Sequence, residues 1–308
     1  MGYVLGIDGG GTKTEVVIAD LQQTELYRFT AGAINLNGKS VEAVQQSFEE
    51  IAAQIIERYK DWSQCRYIAI GAAGISNPSV HEQLEHCIRN IGYTGELTIV
   101  GDQETALYGA HEQGKGEAGI ILIAGTGSIC FGKDQSGSIY RTGGFGYLLD
   151  DEGSGYSIGR DILSAVLQAS DGRAKPTVLQ ELVFEKMQVK SVQEIIGYVY
   201  SPARSKGDIA ALASLLSIGL EARDGASLKI AASSAASLVE LVIPIMEQFG
   251  VNESAPVAMA GSVLLKNEII QDEVVRQLKQ RYPQITCYPA KKDAAFGAVL
   301  IALEQLAH

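Results

Sequence analysis

The sequence predicts an α/β protein of two related halves, the second carrying a helical insertion. Three observations carry that prediction. A short apolar strand pattern that breaks at a glycine turn and continues as two more strands begins at Tyr3 and again at Gly119. Apolar residues at helical spacing fill the stretches between the later strand patterns. The chain has 308 residues, 46% of them hydrophobic and 20% charged. That is enough for a sizeable core and, at roughly 150 residues per domain, for about two domains.

In the first half, Tyr3–Ile7 reads as a buried strand that breaks at Asp8-Gly9-Gly10-Gly11. Glu15–Asp20 and Glu25–Thr30 follow as strands. Val41, Val44, Phe48, Ile51 and Ile55 recur at helical spacing and predict an amphipathic helix over Val41–Tyr59. Tyr67–Ala72 reads as a strand, Val80–Asn90 as a helix, Leu97–Val100 as a strand ending at Gly101-Asp102, and Thr105–Gln113 as a short helix. The polar break at 114–117 marks a domain boundary. In the second half, Gly119–Ala124 is a strand that breaks at Gly125-Thr126-Gly127-Ser128, followed by strands at Ile129–Lys133 and Ser138–Arg141. Ser157 to about Tyr200 and Asp208–Phe249 read as mostly helical, Pro256–Ala260 as a strand, and the stretch from Gly261-Ser262 through Leu278 as a helix. Asp293–Leu306 closes the chain as a helix with Asp293 as its N-cap.

Composition narrows the function. Lys and Arg total 25 against 36 Asp and Glu, a formal charge of −11. Nucleic acid and anionic membrane both demand a basic surface, so neither is expected as a partner. No apolar run reaches the ~18 residues of a membrane span, and the first residues read as a strand rather than a signal peptide. Cys65, Cys87, Cys130 and Cys287 form no CxxC pair, which fits a reduced, cytoplasmic protein. Glycine is in excess, 34 against 7 prolines. Average usage would give about 22 glycines.

The glycines gather in motifs that also carry polar side chains. Asp8-Gly9-Gly10-Gly11-Thr12-Lys13-Thr14 follows a buried strand, so its backbone amides lie open to a phosphate and Asp8 is placed to hold Mg²⁺. An ordinary tight hairpin is the plain alternative. Gly125-Thr126-Gly127-Ser128 repeats the arrangement and by itself is equally a turn. Asp102 stands at a strand's carboxyl end, where it could take a proton from a hydroxyl nucleophile or simply cap a helix. Gly143-Gly144-Phe145-Gly146 precedes the carboxylates Asp150, Asp151 and Glu152, which suit sugar hydroxyls or a solvated loop. Ala260-Gly261-Ser262 has room for a flat ring or for close helix–strand packing. Two further stretches imitate nucleotide loops. Ala33–Ser40 matches a relaxed Walker A, but Leu36, Asn35 and Asn37 would crowd its cradle, and Gly153-Ser154-Gly155 lacks the strand a dinucleotide loop needs.

Together these motifs, in this order from Gly6 to about Ala302, resemble the N-acetylglucosamine kinase-like branch of the BadF/BadG/BcrA/BcrD ATPase family, in the actin/hexokinase/Hsp70 superfamily. The resemblance implies two ribonuclease H-like domains, 1–115 with 293–308 and 116–292, around an interdomain cleft that closes over its substrates. It implies ATP and Mg²⁺ as cofactors and an amino sugar as acceptor. Asp102 matches the catalytic base and Asp8 the metal-associated carboxylate. Gly9, Gly10, Gly11, Thr12 and Lys13 match the first phosphate turn, and Thr126 and Gly127 the second. Gly261 and Ser262 match the adenosine-side turn. Asn35, Gly74, Asp102, Thr126, Gly144 and Asp151 match sugar contacts. Asp150, Phe145 and Ile75 depart from the family's pattern, all on the acceptor side.

The implied reaction is transfer of the γ-phosphoryl of ATP to the 6-hydroxyl of N-acetylglucosamine. N-acetylmuramic acid and glucosamine are the alternative acceptors. A lactyl carboxylate would call for a cation, for which Arg141 and Lys39 are the nearest in sequence. An iron–sulfur ATPase activator, a sugar sensor and a Walker-A NTPase are the rival classes, each less well matched by these residues. A homodimer is the default assembly.

Overall fold

A computed structural model describes residues 2–10, 13–36, 38–75, 77–111, 118–249 and 255–307. The chain divides into two compact units, Met1–Glu117 with Ala290–His308, and Ala118–Pro289.

Unit 1 runs β1 (Tyr3–Gly9), β2 (Thr14–Asp20), β3 (Glu25–Ala31), α1 (Val41–Tyr59), β4 (Cys65–Ala72), α2 (Pro78–Asn90), β5 (Glu96–Gly101) and α3 (Asp102–His111), and is completed by a closing helix, Ala294–Leu306. Its five strands lie in the order β3-β2-β1-β4-β5. The β1–β2 and β2–β3 pairs are antiparallel, and β1–β4 and β4–β5 are parallel. β1 reads as a near-continuous apolar run because both of its faces are covered. Leu5 and Ile7 join a cluster with Phe48, Ile51 and Ile55 of α1 and Leu84 and Ile88 of α2. Val4, one residue before Leu5, points the other way, to Ala295 and Val299 of the closing helix. Each such side chain contributes about 1.5–3 kcal/mol on burial. Asp293 caps the closing helix by accepting the Phe296 amide at 2.9 Å.

Unit 2 runs β6 (Gly119–Ala124), β7 (Ser128–Lys133), β8 (Ile139–Gly143), α4 (Gly155–Ser170), α5 (Leu179–Met187), α6 (Val192–Val199), α7 (Lys206–Ala210), a 3₁₀ turn over Ala211–Ser214, α8 (Leu215–Glu221), α9 (Gly225–Phe249), β9 (Val257–Ala260), α10 (Ser262–Lys266), α11 (Glu268–Arg281) and β10 (Cys287–Pro289). Its sheet order, β10-β9-β6-β7-β8, is that of unit 1 strand for strand, with the same mixture of directions. The repeat that the sequence shows only at its glycine turns is a repeat of topology.

The structure corrects several expectations. The helix placed at Thr105 begins at Asp102. The helix expected from Ser262 through Leu278 breaks at Asn267, whose side chain accepts the Ile270 amide at 3.1 Å and so caps a second helix. The helical stretch after Ser157 is interrupted, with Gly172 at φ +82° just past α4. β10 has three residues, too few for periodicity to register. Helix α9 has the length and apolarity of a membrane span, with 25 residues and a window of mean hydropathy 1.6. Its Ile230, Ala235, Leu238, Val242 and Ile245 instead lie in the unit 2 core.

Candidate active site

Unit 1 brings two carboxylates to one edge of its sheet. Asp8 pairs with Gly71 of β4, and Ala72 of β4 pairs with Gly101 of β5. Asp8 and Asp102 therefore leave the carboxyl ends of the two strands that flank β4, the edge at which open α/β sheets bind ligands. Asp8 is half-buried, and its pKa rises to about 7. Burial is the main cause, followed by the negative charges of Asp102, Glu15 and Asp293, with Lys13 opposing. Glu15 stands opposite Asp8 in the β1–β2 register. Arg28 holds this acidic surround together by donating to Glu15 at 3.2 Å, to Glu25 at 2.9 Å and to Asp293 at 2.6 Å.

Asp102 is the first residue of α3. Its Oδ1 accepts the Gln103 amide at 3.0 Å, and its carbonyl accepts the Thr105 hydroxyl at 2.9 Å. The positive end of the helix dipole favours the ionised carboxylate there. Asp102 therefore lies inside the first turn of α3, and its carboxylate bonds the next amide rather than one two or three residues on.

Gly9 ends β1 against Ile34, and Asn35 follows Ile34 with its carbonyl accepting the Gly38 amide at 3.2 Å. Gly10 continues from β1, and Lys13 is exposed, its ammonium on Glu15 at 2.5 Å. Gly11 and Thr12 lie outside the described residues. Gly74 sits in an exposed turn at φ +81°. Its neighbour Ile75 packs onto the unit 1 core, so its bulk is accounted for there. The Walker-like stretch is a helix entry: Ser40 caps α1, accepting the Ala43 amide at 3.3 Å. Gly153-Ser154-Gly155 is likewise a cap, with Ser154 accepting the Ser157 amide at 3.3 Å.

Unit 2 gathers its motifs tightly. Asp151 is 5% exposed and held at φ +65°. Its Oδ1 accepts the Ser128 amide at 3.5 Å, while the Ser128 hydroxyl donates to the Glu152 carbonyl at 2.7 Å. Burial raises the Asp151 pKa, and the Ser128 amide works against that rise. A Cβ at Gly127 would come within 2.8 Å of Asp151 Oδ2, so a larger residue here would have to displace that carboxylate. The Gly155 amide donates to the Gly125 carbonyl at 2.7 Å and the Tyr156 amide to the Thr126 carbonyl at 3.2 Å. These bonds lock the glycine turn to the acidic loop. Gly144 stands nearby in sequence at φ +73°, in the loop where the Phe145 amide donates to Asp150 at 3.1 Å.

On the other side of the turn, Thr126 and Ser262 line a cavity of about 400 Å³ with Ser214, Ser217, Lys266 and Asn267. That volume lies within the ~300–1,000 Å³ of small-molecule sites. Gly261 sits at φ +88°, and a Cβ on it would stand 2.3 Å from the Ala124 carbonyl oxygen. Only bare backbone lets β9 turn here against β6. The wall formed by Gly207, Ala210 and Ser214 escapes sequence reading. The small residues of 207–217 are a signal for it, but close helix packing gives the same pattern.

The profile described as the BadF/BadG/BcrA/BcrD ATPase family matches residues 5–302. The chain is 34% identical over 304 residues to the N-acetylmuramic acid/N-acetylglucosamine kinase of Clostridium acetobutylicum, covering 98% of each. It is 29% identical over 311 residues to the N-acetyl-D-glucosamine kinase of Dictyostelium discoideum, covering 97% of each. A solved structure from Chromobacterium violaceum, 24% identical, superposes with a TM-score of 0.76 over 98% of this chain and 99% of the other. A ROK family glucokinase from Streptomyces griseus, 18% identical, superposes at 0.61 over 98% and 99%. Both likenesses show the fold.

Proposed function

The chain belongs to the BadF/BadG/BcrA/BcrD ATPase family, and we propose that within it this protein is an ATP-dependent amino-sugar kinase, transferring the γ-phosphoryl of ATP to the 6-hydroxyl of N-acetylglucosamine. One observation carries the reading. The chain is related over nearly its full length to enzymes named as amino-sugar kinases, and Asp102 stands at the carboxyl edge of its first sheet.

In this reading Asp102 orients the sugar hydroxyl. It accepts the hydroxyl proton as the O6–phosphorus bond forms and the bond from phosphorus to the ADP oxygen breaks. Phosphoryl transfer asks little covalent chemistry of the protein, so positioning and charge stabilisation do most of the work. Gly9, Gly10, Gly11, Thr12 and Lys13 are the phosphate contacts of unit 1 in this reading, and Thr126 and Gly127 are those of unit 2. Adenosine occupies the cavity beside Gly261 and Ser262. Asn35, Gly74, Gly144 and Asp151 contact the sugar. Asp151 suits that task because its buried carboxylate is already fixed by the Ser128 amide.

The surplus of negative charge around Asp8 fits a hard divalent cation, for which oxygen donors are the matching ligands. Asp8 would hold Mg²⁺, which would neutralise charge on the transferring phosphate. The thiols of Cys65 and Cys87 lie in the unit 1 core and that of Cys130 in the unit 2 core. They are therefore poorly placed to hold a cluster at a subunit seam. We assign the protein to the cytoplasm, with a symmetric dimer as its assembly and neither nucleic acid nor membrane as a partner.

The test is an ATP- and Mg²⁺-dependent assay across N-acetylglucosamine, glucosamine, N-acetylmuramic acid, N-acetylmannosamine and glucose, with the phosphate located by NMR. The N-acetylated glucosamine sugars should exceed glucose at least tenfold in kcat/KM and carry phosphate on O6. Glucose matching them would overturn the reading.

A further inference from the structure

Arg141 lies in β8 on the approach to Gly144, and nothing in the phosphoryl-transfer chemistry above uses it. Its Nε–H donates to the Gly143 carbonyl at 3.1 Å and one Nη2–H donates to the Gly144 carbonyl at 2.6 Å. The guanidinium also stands 5.0 Å from the centre of the Phe145 ring. Three attachments on consecutive residues fix the orientation of an exposed side chain. None of the ion pairs among the described residues includes Arg141. A guanidinium has five N–H donors, so Nη1 and the second hydrogen of Nη2 stay uncommitted among the described residues.

The charges around it sharpen the question. Asp150 and Asp151 follow in the same loop, and their carboxylates are engaged with the backbone amides of Phe145 and Ser128. Without Arg141 this surface would repel an anionic acceptor. Lys206, another cation near the loop, lies 5.9 Å from the Tyr147 ring centre. Arg141 is therefore a cation fixed on the very backbone proposed to touch the sugar, and it presents a planar fork of donors. Carboxylate is the ligand chemistry that such a fork matches.

We infer that Arg141 is a specificity-determining residue that recognises a carboxylate on the acceptor, admitting amino sugars with an acidic ether substituent such as N-acetylmuramic acid beside the neutral ones. The inference rests on the amino-sugar kinase reading, because it uses Gly144 as a sugar contact. If Arg141 were only a clamp on the glycine loop, its loss would slow acidic and neutral sugars alike.

The experiment measures kcat/KM of wild type, Arg141→Met and Arg141→Lys with N-acetylmuramic acid, its methyl ester and N-acetylglucosamine. Arg141→Met should lower the ratio of N-acetylmuramic acid to N-acetylglucosamine at least tenfold, mainly through KM. Arg141→Lys should restore part of that ratio, because the charge returns without the fork. The methyl ester should be a poor substrate for wild type and gain nothing from Arg141. A ratio unchanged by Arg141→Met overturns the inference, as does a wild type that phosphorylates N-acetylglucosamine but not N-acetylmuramic acid. Either result leaves the kinase reading standing. Failure to phosphorylate any amino sugar overturns both.

Discussion

Asp8, one residue from the end of β1, and Asp102, just past β5, lie on either side of β4, and the charge of Asp102 is the first among the neighbouring charges that raise the Asp8 pKa to about 7. An unfolded Asp titrates near 3.9. Folding therefore favours the protonated form, and the fold loses stability as pH rises from about 4 to about 7, after which the penalty is complete. Asp8→Asn removes that penalty. In metal-free buffer the variant should melt above wild type at pH 8.5, by no more than about 4 kcal/mol, and the gain should vanish near pH 4. Adding Mg²⁺ with ATP should stabilise wild type and not the variant. Equal melting curves at every pH would show that the charges around Asp8 are balanced in solution.

Asp102 carries the chemistry in the proposed reaction, so its replacement should separate rate from binding. Asp102→Asn keeps the size and the contact with the Gln103 amide but removes the proton acceptor. General-base loss typically costs about 10²–10⁴ in rate. Steady-state kinetics should show kcat falling at least a hundredfold while KM for ATP stays within threefold. A kcat within tenfold of wild type, about 1.4 kcal/mol in barrier, would place the base elsewhere.

The Walker-like stretch should prove inert. Ser40 is spent on capping α1, and Lys39 is exposed at the helix entry. Lys39→Ala should leave nucleotide affinity, read by calorimetry with a non-hydrolysable ATP analogue, within about twofold. Loss of binding would reinstate a P-loop.

These residues also mark what the sequence reveals and what it hides. The strands around the glycine turns were legible because buried strands are apolar runs that stop abruptly at Asp8 and Gly125. The helix over Val41–Tyr59 was legible because one face repeats at 3.6 residues. Helix starts at caps were harder. Asp102 is polar and carries no apolar signal, so periodicity puts the start of α3 at Thr105, and Asn267 splits a helix that reads as continuous. Glu15, Arg28 and Asp293 were invisible as a group because they meet only through the β2–β3 pairing and the return of the closing helix. The cavity wall at 207–217 was hidden by its plainness, since small residues pack helices as readily as they admit a ligand.

Gly261 offers the sharpest test of that cavity. Its φ of +88° is a region L side chains rarely adopt, and an added Cβ would stand 2.3 Å from the Ala124 carbonyl oxygen, a backbone atom in the neighbouring strand. Neither strain can be relieved by a rotamer change. Gly261→Ala should therefore cost about 1–3 kcal/mol and shift β9 away from β6, where Thr126 and Ser262 face the cavity. Calorimetry with an ATP analogue should show at least a tenfold weaker affinity, and thermal melting a lower midpoint. Gly38→Ala is the control, since a Cβ there meets nothing within 4 Å. It should change neither readout. If Gly261→Ala lowers the melting point yet binds the analogue as wild type does, the turn is structural and the nucleotide sits elsewhere.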